Sequence, residues 1–237
     1  MKFRVWARGA KTVSVKLADQ CLGMTPAENG YWELNTPLSH ESVDYSFILD
    51  DGDPLPDPRS AFQPSGVHGP SRVIDHALFQ WSDHDWNAPP LSAAIIYELH
   101  IGTFTGAGTF DAAIERLDYL SHLGVTHIEL MPVGEFSGNR GWGYDGVDIF
   151  APHHAYGGPD GLKRLVDACH RRGLAVLLDV VYNHFGPVGN YLPSFGPYLT
   201  SRYVTPWGSA INFDGRLSDD VRRFFCDNAI AWLRDYH

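Results

Sequence analysis

Cysteine is scarce: the 237 residues hold only Cys21, Cys169 and Cys226, far apart and with no C-x-x-C pair. That count suggests neither a disulfide framework nor a cysteine-based zinc site, and a reducing, cytoplasmic setting is expected. Positive charge is short as well. Lys+Arg number 18 against 28 Asp+Glu, a formal net charge of −10. Such a surface repels phosphate backbones and anionic lipids, so neither nucleic acid nor a membrane is an expected partner. Apolar runs long enough to span a bilayer are missing, and MKFRVWARGAKT at the start has no apolar signal-peptide core. Apolar residues still make up 44% of the chain and aromatics 13%, against 19% charged. A sizeable core is therefore expected, and the balance suits a neutral, hydroxyl-rich ligand.

Two kinds of patterning follow one another. Up to about residue 90 the chain reads as β. FRVWA and YWELN are short strands, Val13, Val15 and Leu17 alternate in KTVSVKL, and Val43, Tyr45, Phe47 and Leu49 alternate in SVDYSFIL. Several short alternating strands predict an antiparallel sandwich. Pro54 to Pro90 is rich in Pro and Gly and reads as a covering segment and linker. From residue 91 to 237 strands and helices alternate. IIYELHI (95–101), VTHIELM (125–131) and LAVLLDVVY (174–182) are predicted strands, the last apolar enough to be buried on both faces. Thr109 to Gly124, 161–173 and 217–236 are predicted helices, with Ser218 capping the third. This grammar predicts parallel βαβ units, either doubly wound or in a (β/α)8 barrel. Both architectures gather their chemistry at the carboxyl ends of the strands. There the sequence has His100, the segment from Pro132, and Asp179 to His184, with unusually long loops after the second and third strands.

GWGYDG (141–146) matches the spacing G-x-G-x-x-G of a dinucleotide cradle. No strand leads directly into it and no helical period follows it, so a nucleotide site is not expected. Its other equipment suits a sugar, because pyranose C–H faces stack on aromatic rings while hydroxyls seek carboxylates, imidazoles and amides. Tyr144, between glycines, is the candidate platform, and Trp142 could equally be core. In DVVYNH (179–184), Asp179 ends an apolar strand, costly unless it is paired or working. Asn183 and His184 emerge beyond it. His153 and His154, adjacent in an extended stretch, are expected to point apart. Structural or loop roles are therefore expected for them, and neither a metal site nor a cofactor is expected.

IIYELHIGTFTGAGTF, GVTHIELMPVGEF, GWGYDGVDIFAPHHAYGGPDGLKRLVDACHRRGLAVLLDVVYNH and NYLPSFGPY follow one another in order. Together they resemble the α-amylase superfamily of glycoside hydrolases, glycoside hydrolase family 13, and within it the members that release trehalose from maltooligosyltrehalose. FRVWA, TVSVKL and FQPSGVHGPSRV resemble the β-sandwich and linker of those members. The resemblance implies an N-terminal immunoglobulin-like sandwich with its linker over residues 1–90. Residues 91–237 would be the first three βα units of an incomplete (β/α)8 TIM barrel.

The implied substrate is an α-glucan, specifically a maltooligosyltrehalose cut at the α-1,4 bond next to its terminal trehalose. The alternatives are a 1,4-α-glucan branching enzyme and a non-catalytic α-glucan-binding module. The resemblance implies four substrate-binding residues. Tyr144 is the aromatic platform, Asp179 orders the hydrogen-bond network, His184 bonds a sugar hydroxyl, and Asn183 supports the loop (in some relatives that residue helps ligate calcium). The family's retaining mechanism uses two carboxylates about 5–5.5 Å apart, placed after the fourth and fifth barrel strands. The sequence stops at His237, where a fourth strand is due, and has no D-G-x-R-x-D motif. The expectation is therefore an N-terminal portion that contains no catalytic residue and by itself hydrolyses no maltooligosyltrehalose.

Overall fold

Alternating apolar residues organise the first part of the chain. The computed structural model describes residues 1–37 and 43–237; Ser42, the first residue of the expected SVDYSFIL stretch, lies outside them. The strands here are β1 (Lys2–Trp6), β2 (Val13–Leu17), β3 (Gln20–Gly23), β4 (Thr25–Pro26), β5 (Tyr31–Asn35), β6 (Asp44–Leu49), β7 (Pro54–Leu55) and β8 (Ser71–Arg72). β1, β5 and β4 form one antiparallel sheet. β3, β2, β6 and β7 form another, with β8 against β6. In β2 the side chains of Val13, Val15 and Leu17 are buried while Lys16 is exposed, as the alternation predicts. Register pairs Val15 with Phe47 and Leu17 with Tyr45, so the apolar sides of both strands face one interior.

That interior extends beyond the two sheets. Phe3, Val5, Val15, Tyr45 and Phe47 belong to one apolar cluster with Phe195, Tyr198, Phe224 and Phe225. Trp6 meets Tyr198 edge-on, with ring centroids 5.2 Å apart. Full burial of each such large side chain contributes about 1.5–3 kcal/mol.

The second part begins with β9 (Ile96–Leu99) and continues through α1 (Ile101–Phe104), α2 (Phe110–Ile114), α3 (Leu117–His122), β10 (His127–Leu130), β11 (Gly134–Glu135) and β12 (Asp148–Pro152). It ends with α4 (Gly158–His170), β13 (Ala175–Leu178), α5 (Leu192–Phe195), β14 (Leu199–Thr205), β15 (Gly208–Ile211) and α6 (Ser218–Asp235). β9, β10 and β13 form a parallel sheet with β10 central. β11–β12 and β14–β15 are antiparallel pairs inserted after β10 and β13.

Several sequence expectations shift. The strand predicted over 174–182 is only Ala175–Leu178, and Val176 to Leu178 are half-buried. Among the described residues β13 is an edge strand of the sheet, paired with β10 alone. The strand predicted through Ile101 stops at Leu99, where the chain turns into α1. The helix predicted from Thr109 to Gly124 divides at Glu115–Arg116, although Thr109 caps it by accepting from the Ala112 N–H at 3.2 Å. α4 starts at Gly158 rather than 161, because Gly157, at φ 115°, reverses the chain before Pro159. Ser218 is not the cap of α6. Leu217 occupies that position at φ 64°, and the Ser218 hydroxyl instead accepts from Arg222 Nη1 at 3.0 Å.

The Pro-rich segment before β9 is tied to α4. Trp86 stacks on His170 at 3.7 Å, and Ser82 donates to Asp167 through its backbone N–H at 2.7 Å. Asp83 Oδ2 lies 2.8 Å from Nδ1 of both His170 and His237. Burial opposes the Asp83 charge, but the hydrogen bonds from His237 and His170 outweigh it and hold the carboxyl below its ordinary value. An unfolded aspartate titrates near 3.9 on average, so the stability this pairing confers is present above about that pH. It is lost as pH falls through the lower folded value. Asp83→Asn should therefore lower stability by about 1–2 kcal/mol at neutral pH, with the gap narrowing in acid. Melting curves from pH 7 to about pH 3 check this; a constant gap would reject the pairing as its cause.

Candidate functional site

The site is assembled where β9, β10 and β13 end. Asp179 follows β13 directly, and its N–H still donates to the Leu130 carbonyl at 2.9 Å, so its carboxylate leaves the sheet at the C-terminal edge. The GWGYDG loop reaches the same edge from between β11 and β12. Gly143 fixes its course: at φ +91°, a Cβ there would stand 2.1 Å from the Pro132 carbonyl oxygen. No side chain fits such an approach. Across the loop, a Cβ on Gly186 would stand 2.0 Å from the Asp145 carbonyl oxygen, so the segment after DVVYNH is pressed just as closely. His100, at the end of β9, places Nε2 2.8 Å from the Gly141 carbonyl and 3.1 Å from the Tyr156 hydroxyl. The loop is thus held from three sides.

This framework presents Tyr144 to Asp179. The phenol donates to Asp179 Oδ2 at 2.9 Å. Partial burial first, then that bond and the carboxylate charge, push the Tyr144 hydroxyl above its ordinary pKa and keep it a donor. His184 Nδ1 lies 2.7 Å from Asn183 Oδ1, and its ring stacks on Trp207 at 4.9 Å and 18°. Tyr144, Asp179, Asn183 and His184 all line one cleft of about 1080 Å³, flanked by Trp142 and Trp207. All four residues singled out in the sequence are therefore brought together. Trp142, left open between core and surface, is 75% exposed, which removes it from the core. A dinucleotide cradle is excluded, because the glycine loop joins an antiparallel pair and opens no helix.

Open aromatic rings beside a carboxylate, an amide and an imidazole are the chemistry to which a sugar ring is suited, with apolar C–H faces for the rings and hydroxyls for the polar groups. The alpha amylase catalytic-domain family model matches residues 78–196, half of the chain. The chain belongs to the alpha-amylase family. The match starts within the segment tied to α4 and includes Tyr144, Asp179, Asn183 and His184, whereas Trp207 lies beyond it. A malto-oligosyltrehalose trehalohydrolase from Arthrobacter ramosus is 52% identical over 100% of this chain and 42% of its own length. A 1,4-alpha-glucan branching enzyme from Pseudoalteromonas atlantica is 33% identical over 100% of this chain and 36% of its own. The crystal structure of a Salmonella typhimurium protein assigned as an alpha amylase superposes with a TM-score of 0.95 at 45% identity. That superposition covers 100% of this chain and 40% of the other. The chain thus spans less than half the length of these relatives.

Within this alpha-amylase-family chain, sequence reasoning missed Trp207. It sits between β14 and β15, and the available signal was Pro-Trp-Gly at 206–208, a turn between two short runs. Sequence reasoning also misjudged His153 and His154. They do not point apart: the chain bends into a turn after His153, and both Nδ1 atoms approach Glu135 Oε1, at 3.1 and 2.8 Å.

Gly143→Ala tests the loop geometry. The contact with Pro132 should force the loop outward and cost at least about 1–3 kcal/mol, read as a lower melting temperature together with altered fluorescence of Trp142. An unchanged melt would mean that the loop tolerates a side chain there.

Proposed function

We propose that this chain is part of a glycoside hydrolase that cleaves the α-1,4-glucosidic bond next to the terminal trehalose of a maltooligosyltrehalose, releasing trehalose in the cytoplasm. The observation that carries the reading is the convergence of Tyr144, Asp179, Asn183 and His184 on one open cleft. The name and identity of the Arthrobacter relative support the trehalose-releasing specificity over the more distant branching activity. In this reading Tyr144 is the platform beneath the glucose ring at the cleavage point. Asp179 orders the hydrogen bonds around that sugar, His184 bonds one of its hydroxyls, and Asn183 holds His184 in place. Trp207, stacked on His184, limits how far that imidazole can turn.

The architecture we propose is an immunoglobulin-like β-sandwich with its linker over residues 1–90, then the first three βα units of a (β/α)8 barrel over residues 91–237. Two antiparallel sheets around one apolar interior support the first part. Three parallel strands with polar residues gathered at their carboxyl ends support the second.

Kinetics of the full-length protein test the assignment. Tyr144→Ala should lower kcat/KM for maltooligosyltrehalose by about tenfold or more while the melting temperature changes little. Unchanged kinetics would remove Tyr144 from the site. Trehalose among the products supports the proposed specificity, whereas new α-1,6 branches would replace it with branching.

A further inference from the structure

We propose that Glu135, His153 and His154 form a binding site for a divalent transition-metal ion of the zinc type, separate from the cleft. Glu135, on β11, is fully buried. Its Oε2 accepts the His154 backbone N–H at 2.8 Å, and Oε1 faces the Nδ1 atoms of His154 at 2.8 Å and His153 at 3.1 Å. The His153 ring is also fully buried, stacked on Phe136 at 4.0 Å and met edge-on by Tyr156. Despite the short distance, its Nδ1 is not aligned for a hydrogen bond with Glu135, and neither ring nitrogen has a partner. An imidazole enclosed in this way bears the desolvation cost of two polar atoms. Coordination would give one of those nitrogens a partner and offset the buried carboxylate charge.

The donor atoms lie within 4.8 Å of one another. Ligands 2.0–2.2 Å from a tetrahedral zinc stand roughly 3.4 Å apart, so side-chain adjustments of about 1 Å would close the site. Two imidazoles and one carboxylate match zinc and its first-row neighbours and disfavour calcium and magnesium, which take oxygen ligands. The His154 side chain is 31% exposed, which leaves an entry and room for a water as fourth ligand. None of the three residues lines the cleft. The ion would fasten β11 to the turn after β12, the two ends of the loop that carries Tyr144, so its role would be structural.

The test is zinc titration of the chelator-stripped full chain by calorimetry, with cobalt as a spectroscopic probe. His153 fills a core position, so the informative variant is His154→Ala, with a melting curve to show that it folds. The expected result is one zinc per chain, a melting temperature raised by about 5 °C at saturating zinc, and a tetrahedral cobalt spectrum. Affinity should fall at least about tenfold in His154→Ala, and it should weaken on acidification, because metal binding must displace protons from its ligands. No uptake at 100-fold excess over micromolar zinc (roughly 0.1 mM) would overturn the proposal. So would equal uptake by His154→Ala, which would assign the ion to other histidines among the 12 in the chain.

Discussion

The approach of Gly143 to the Pro132 carbonyl is the constraint on which the cleft depends. Pro132 follows β10, so this contact ties the long insertion after that strand back to the strand's own end. With the backbone held there, Tyr144 has little choice but to face the end of β13, where Asp179 stands. The glycines of GWGYDG thus serve proximity rather than phosphate binding. One brings the backbone against Pro132, and another, Gly141, offers its carbonyl to His100. A loop of this length would otherwise sample many conformations, and freezing it costs entropy that these contacts must offset.

Beneath the cleft the chain is knit together by apolar packing that disregards its two kinds of patterning. Phe195 and Tyr198, from the insertion after β13, and Phe224 and Phe225, from α6, enter the same cluster as Val15 and Phe47. The approach of Gly196 to Trp6 is close enough that a Cβ would stand 2.5 Å from the indole ring. The segment that leads from DVVYNH to the β14–β15 hairpin is therefore anchored on the N-terminal sheets, and the hairpin in turn carries Trp207 to His184.

Much of this was legible in the sequence, and the failures have physical causes. Alternation at Val13, Val15 and Leu17 gave the right strand and face because one side of it meets the core. The parallel order of β9, β10 and β13 followed from strand–helix alternation. LAVLLDVVY misled about burial, since an apolar run reports what a segment tolerates and not how many neighbours it has. The β14–β15 hairpin escaped notice because residues 201–204 are exposed and carry no apolar period. Tyr144, Asp179, Asn183 and His184 were singled out through the family resemblance of the motifs that carry them, and all four line one cleft. Trp207 depends on a tertiary contact that no spacing encodes. The convergence of His153 and His154 depends on a single turn, which the assumption of extended backbone could not supply.

Because the N-terminal sheets and the later aromatic residues share one interior, the chain cannot be divided cleanly at residue 90. Cutting there would strip Trp6 and Phe47 of the rings that cover them and leave an apolar face open to water. Evolution is constrained in the same way. A substitution at Phe47 alters the packing of Phe195, whose ring centroid lies 6.5 Å away although the two are far apart in sequence.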